Sequence, residues 1–174
     1  MKVLLCVLLS APALAATASA APDGFRESVR LSPIASGVAG RPVTVWCART
    51  PVIWRDAVQA LDPSLSGTTR GLAGVPDADS MQLAPWVCRT LEGWLRGKGA
   101  PTPENLGREI LTLVHESVHL RGIVDEGVTT CTALPLVPGI ARASFKIRSA
   151  KVLRAVVQAA WADVRGAYRG PCLN

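Results

Sequence analysis

The chain has 174 residues, with 19 Lys and Arg against 13 Asp and Glu, a formal net charge of +6 and 49% hydrophobic residues. That length supports one domain with a substantial core, and beyond the N-terminus no run of about 18 apolar residues offers a membrane span. No internal repeat is visible. In a chain expected to be exported, moderate basicity without any recognised nucleic-acid motif excludes nucleic acid as an expected partner.

Met1-Lys2 precedes an apolar core from Val3 to Leu9 and an alanine-rich stretch ending Ala18-Ser19-Ala20, a small-x-small cleavage site before Ala21. Residues 1–20 therefore read as a secretory signal peptide, with Cys6 inside its apolar core and lost with it. Cleavage near Ala20 takes Lys2 as well, so +6 becomes +5. The mature chain is expected outside the cell or in its envelope. Residues 21–40, rich in Gly, Pro, Ser and Ala, are expected to form a flexible lead-in, and residues 41–174 the folded domain.

Val43 to Cys47 reads as a β-strand and Pro51 to Leu61 as a short helix bearing Trp54. Gly67 to Ser80 is turn-rich. Met81-Gln82-Leu83 reads as a short edge strand stopped by Pro85, which opens a helix carrying Trp86, Cys88, Leu91 and Trp94. Further on, Thr102-Pro103-Glu104 supplies an N-cap, a first-position proline and a first-turn acid, and Gly122 supplies a stop, so the pattern predicts a helix from about 103 to 121.

His115 and His119, the only histidines, stand on that helix four apart with Glu116 between them, in Thr112-Leu113-Val114-His115-Glu116-Ser117-Val118-His119-Leu120. This is the H-E-x-x-H pattern. At about 100° per residue the two imidazoles lie about 40° apart, near enough to grip one ion, on a face shared with Ile110, Leu111, Val114 and Val118. Neutral imidazoles bind zinc and leave positions open, the ion lowers the pKa of a water to about 7, and Glu116 is the candidate general base. A plainer account has the two histidines and the glutamate simply satisfied by their neighbours. A structural staple, however, needs the histidines and not the glutamate between them.

A zinc site needs a third protein ligand, and Leu120 to Cys131 offers the adjacent carboxylates Asp125 and Glu126. Gly122 and Asp125 match a metzincin spacing, but that arrangement also needs a downstream methionine, and Met1 and Met81 both lie upstream. A glutamate from the next helix, the gluzincin arrangement, fits Glu126. Glu126 is therefore the expected third ligand, with Asp125 orienting an imidazole. The reverse assignment stays open, as does a plain N-cap role for Asp125.

From Ala141 to Tyr168, the residues Phe145, Ser149, Val152, Val156, Ala160, Val164 and Tyr168 trace the apolar stripe of one last helix, while Lys146, Lys151, Arg154, Arg165 and Arg169 point largely elsewhere. These charges read first as a solvated face, and second as a source of weak attraction to an anionic cell surface. The mature chain keeps Cys47, Cys88, Cys131 and Cys172, an even count that in an exported protein reads as two disulfides. Three pairings exist and sequence alone selects none. The expectation taken forward is Cys88 with Cys131 and Cys47 with Cys172, which would tie the helix opened by Pro85 to the segment bearing the third ligand. No close C-x-x-C pair favours a cysteine zinc site.

The run His-Glu-Ser-Val-His-Leu-Arg-Gly-Ile-Val-Asp-Glu-Gly-Val-Thr-Thr-Cys, from His115 to Cys131, resembles small secreted zincin-like proteins of high-GC bacteria, in which H-E-x-x-H is followed by Leu-Arg-Gly and then by a Glu on a helix with a cysteine. The specific part covers residues 111–131, with weaker similarity at Trp46-Cys47 and at Leu83 to Cys88. The resemblance implies an α+β fold, a mostly helical, minimal gluzincin-like domain with a small β-sheet and an H-E-x-x-H active-site helix. It supplies no substrate. Arg121 departs from zinc-peptidase patterns, which usually have an apolar residue there.

The expected function is hydrolysis of peptide bonds by a secreted, monomeric metallopeptidase. One Zn2+ per chain is held by His115, His119 and Glu126, and Glu116 serves first as base and then as proton donor to the leaving amine. The expected substrate is a peptide or protein laid against the Met81–Leu83 edge. Tyr168 and Arg142 are candidates for stabilising the oxyanion, although core packing is the plainer account of Tyr168. Two alternatives are a secreted zinc-binding protein on a zincin scaffold with little or no catalysis, and a zinc amidase acting on cell-wall peptide, which the basicity would suit.

Overall fold

The computed structural model describes residues 21–58, 67–68, 79–99, 101–164 and 172; residues 1–20, expected to be a signal peptide, and Arg165, Tyr168 and Arg169 lie outside the described residues. The elements in chain order are β1 (Phe25–Glu27), α1 (Ser32–Ala39), β2 (Thr44–Ala48), α2 (Pro51–Val58), β3 (Gly67–Thr68), β4 (Ser80–Leu83), α3 (Pro85–Leu95), α4 (Pro103–His119), α5 (Glu126–Ala133), a 3-10 turn at Leu134–Leu136, α6 (Val137–Ala143) and α7 (Ala150–Asp163). The fold is α+β and mostly helical. Its four-stranded sheet has the order β1-β2-β4-β3, with β2 and β4 parallel and the outer pairs antiparallel. No helix among the described residues is long and apolar enough to cross a membrane.

The Met81–Leu83 segment is not a sheet edge. β4 is paired with β2 on one side and β3 on the other, so its backbone groups are already used. Met81, Gln82 and Leu83 are all buried, as are Val45, Trp46 and Cys47 on β2. Both faces of these strands are covered, which is why their sequence reads as a continuous apolar run rather than an alternation.

Residues 21–40 are likewise no loose lead-in. Pro33 lies in the first turn of α1, Gly40 ends it in the left-handed region at φ 75°, and Leu31, Ala35 and Val38 are buried. The small residues that look like linker composition let α1 pack against α4. Glu92 on α3 fastens this region: Arg26 reaches it through two hydrogen bonds of 2.9 and 2.8 Å, Ser28 Oγ donates at 2.6 Å, and Arg96 approaches to 3.3 Å. Burial alone would push the Glu92 carboxyl up, but Arg26 and Ser28 hold it below the usual carboxylate range.

The disulfides pair differently from the expectation, as Cys47–Cys88 and Cys131–Cys172. Sheet register explains the first. Cys47 on β2 lies opposite Leu83 on β4, and α3 begins at Pro85, so Cys88 arrives one helical turn later above Cys47, with Cα atoms 6.1 Å apart. That leaves Cys131 on α5 to hold Cys172, at a Cα separation of 4.9 Å.

Helix α4 is the centre of the molecule. Thr102 caps its first turn, accepting from the Asn105 N–H, and Gly122 turns the chain away just beyond its end with φ 86°. The expected apolar face is buried, but so are Leu106, Leu113 and Ser117, because α4 packs against α1, α3, α5, α6 and α7. Its closest neighbour is α7. A Cβ on Gly107 would fall 2.2 Å from the Val156 carbonyl oxygen and 2.9 Å from Ala159 Cβ, so the two helices meet almost backbone to backbone.

The single last helix expected over 141–168 is in fact two. α6 ends at Ala143, Lys146 adopts φ 56°, and Ser149 caps α7 by accepting from the Val152 N–H. The break buries Phe145 and Ile147 and gives the Phe145 carbonyl to Trp94 Nε1 at 2.8 Å. The stripe persists within α7 and just beyond it as buried Val156, Ala160 and Val164.

Gly107→Ala is expected to cost about 2 kcal/mol by forcing α4 and α7 apart, measured by urea denaturation. A second expectation concerns Glu109 on α4. Burial, then the Asp163 carboxylate, raises its carboxyl to about 7 against the pull of Arg108. A carboxyl that binds its proton more tightly when folded lowers stability as pH rises from its unfolded value of about 4.3 towards 7, with no further change above. Glu109→Gln is therefore expected to match the parent near pH 4 and to exceed it in unfolding midpoint at pH 8.

Candidate metal centre

The last turns of α4 place His115 and His119 ring against ring, with centroids 4.6 Å apart and planes at 82°. The chain reverses at Gly122, and Asp125 begins α5 by accepting the Val128 N–H at 2.8 Å. Glu126, the first residue of α5, is thereby directed back at the histidines. His115 Nε2 lies 2.9 Å from Glu126 Oε2, His119 Nε2 lies 3.4 Å from Glu126 Oε1, and the two Nε2 atoms are 3.0 Å apart. Among the described residues this is the one group of His, Cys, Asp or Glu side chains with donor atoms close enough to share an ion. Asp125 does not belong to it.

The geometry fits a zinc ion. Bonds of about 2.0–2.2 Å in tetrahedral array place ligand atoms about 3.3 Å from one another, close to the 2.9, 3.0 and 3.4 Å among these three donors. The electrostatics agree. The Ile123 carbonyl can only accept, so His119 donates to it from Nδ1 at 2.7 Å, and the lone pair of neutral His119 is on Nε2, facing the cluster. Two imidazole nitrogens and a carboxylate oxygen at such distances need a positive centre among them, either a shared proton or a cation. Hydrogen bonding to His115, then to His119, holds the Glu126 carboxyl well below the usual carboxylate range. Burial works to lower His119, but Glu126, Glu116 and the Ile123 carbonyl together leave it above the usual histidine value. The site concentrates negative potential where a cation would sit.

Both imidazoles are steadied from behind by uncharged oxygens. Thr130 Oγ1 lies 3.4 Å from His115 Nδ1, and Thr129 Oγ1 lies 3.3 Å from His119 Nδ1 while donating to the Ile123 carbonyl at 3.1 Å. These groups take the orienting role that the sequence assigned to Asp125, whose side chain is spent on the helix cap. Helical spacing was the available signal: Thr129 and Thr130 stand three and four residues after Glu126, one turn along the same face. Arg121 has a structural duty, since its Nε donates at 2.7 Å to the Val38 carbonyl at the end of α1, and its Nη2 donates to the same oxygen.

Glu116 lies between the histidines in sequence and is close enough to both imidazoles and to Glu126 to feel their charge. It is 7% exposed, and its Oε2 has no hydrogen-bond partner among the described residues. Burial pushes its carboxyl up despite the opposing pull of both imidazoles. Glu126 is half exposed and His115 partly so, which makes the cluster open on the Glu126 side and closed at Glu116 and His119. Arg142 is exposed on α6 and contributes no donor atom to the cluster; Tyr168 lies outside the described residues.

No protein-family model, curated protein or solved structure matches the chain.

Asn caps a helix as well as Asp does, so Asp125→Asn is expected to leave zinc affinity unchanged in competition with a chromophoric chelator. Thr130→Val, which frees His115 Nδ1, is expected to weaken zinc binding about tenfold. A loss in Asp125→Asn as large as that in Glu126→Gln would make Asp125 a ligand after all.

Proposed function

We propose that the chain is a secreted zinc-dependent peptidase whose one Zn2+ is held by His115, His119 and Glu126, with Glu116 as general base. The observation that carries this reading is the convergence of three metal-donor atoms beside a buried carboxylate with an unpartnered oxygen. Zinc in such a site supplies a Lewis acid that brings the pKa of a water to about 7 and polarises a carbonyl.

The residues of the chain supply the rest. Glu116 accepts the proton of the attacking water through Oε2 and returns it to the leaving amine, and the burial that raises its proton affinity suits both transfers. His119, locked through Nδ1, and His115, backed by Thr130, hold their lone pairs in place without reorganisation. The opening beside Glu126 admits substrate. Among the described residues β3 is the terminal strand of the sheet, and it lies against Glu116; we assign its outer edge the part expected of Met81–Leu83, offering backbone groups to an extended peptide. A purely structural zinc would leave Glu116 a buried carboxylate with an unmet hydrogen bond, a costly arrangement without a task. Secretion is supported by the two disulfides, which belong to an oxidising compartment, and by the apolar N-terminal stretch before Ala21.

Glu116→Gln is expected to retain one zinc per chain by elemental analysis and to lose at least about 100-fold in hydrolysis of casein or a quenched peptide library. Undiminished hydrolysis would remove Glu116 from the role of base, and a zinc-loaded parent that cleaves no peptide would contradict the peptidase reading.

A further inference from the structure

Gly67 lies directly against the Glu116 side chain. A Cβ built on Gly67 would fall 2.6 Å from Glu116 Cγ and 3.1 Å from both its Cδ and Oε1. The backbone of Gly67 does not itself call for glycine, because its φ is outside the left-handed region; the requirement comes from space alone. Neither backbone is free to withdraw. Gly67 and Thr68 are in register with Leu83 and Gln82 of β4, both buried, and Glu116 rises from the most enclosed helix of the molecule. Any side chain at position 67 must therefore be met chiefly by movement of the Glu116 carboxylate.

We propose that Gly67 is a positioning residue for Glu116: the bare Cα of the terminal strand forms the wall that fixes how deep the carboxylate sits beside His115, His119 and Glu126. A Cβ there would meet Cγ first and then Cδ and Oε1, so even the smallest side chain would shift the carboxylate from this depth. The inference rests on the peptidase reading for its catalytic consequence and on packing alone for the contact.

The test is a double-mutant cycle of Gly67→Ala with Glu116→Ala, read in two ways. Truncating Glu116 removes a buried, incompletely bonded carboxylate and makes room for a methyl at 67. Gly67→Ala is therefore expected to lower the thermal midpoint in the parent and to leave it unchanged in the Glu116→Ala background. In the zinc-loaded single variant, metal stoichiometry is expected to stay at one per chain while kcat for peptide hydrolysis falls at least about tenfold with KM little changed, the mark of a displaced base rather than lost binding. Equal destabilisation in both backgrounds, or an unaltered kcat in Gly67→Ala, would overturn the inference. Because the stability cycle needs no activity, a parent chain inactive on every peptide would sink the peptidase reading while leaving the contact to be decided by the midpoints.

Discussion

Helix α4 has to be buried on nearly every side and yet deliver two imidazoles and a carboxylate into one cluster, open only on the Glu126 side, at its C-terminal end. Most of the architecture follows from that constraint. Burial comes from α1, α3, α5, α6 and α7 around it, with the α7 approach so close that position 107 tolerates no side chain. Delivery comes from the stop at Gly122 and the reversal into α5, which returns Glu126 to within hydrogen-bond distance of His115. A helix held this firmly gives its last turn little freedom, so the two Nε2 atoms lie 3.0 Å apart beside the Glu126 carboxylate.

The site divides its work by burial. His119 and Glu116 are at the enclosed end, where low polarity raises the proton affinity of a carboxyl and strengthens every charge interaction. Glu126 is at the open end, half exposed, where an anionic ligand can be kept ionised by its histidine neighbours. The orienting groups are a backbone carbonyl and two threonine hydroxyls rather than a carboxylate, so they fix the imidazoles without adding charge. A divalent cation held as proposed would be balanced in charge by the Glu116 and Glu126 carboxylates.

How much of this was legible in the sequence depended on how local the signal was. α4 was readable to within two residues because Thr102, Pro103 and Gly122 act on their own turns, and His115, Glu116 and His119 share one face by helical arithmetic. Glu126 was readable because it follows the cap residue Asp125. Pairings between distant segments were not. Three residues, Met81 to Leu83, cannot distinguish an edge strand from an interior one, and that distinction decided both the disulfide partner of Cys47 and which strand borders Glu116. The Gly, Ala and Ser content of 21–40 reads equally as linker or as close helix packing. A continuous stripe from Phe145 to Val164 survives a helix break, because Ser149 restarts the period as α7. Gly67 carried no sequence signal, since its importance lies in a contact across 49 residues of chain.

The claim on which the account stands is that His115, His119 and Glu126 bind one zinc ion together. X-ray absorption at the zinc edge, on the secreted and oxidised chain loaded with one equivalent of zinc, reads that shell directly. The account predicts two imidazole nitrogens at about 2.0–2.1 Å with the remaining ligands oxygen and no sulfur, and loss of an imidazole contribution in His119→Ala. A spectrum of zinc ligated only by water, or one unchanged by His119→Ala, would contradict it.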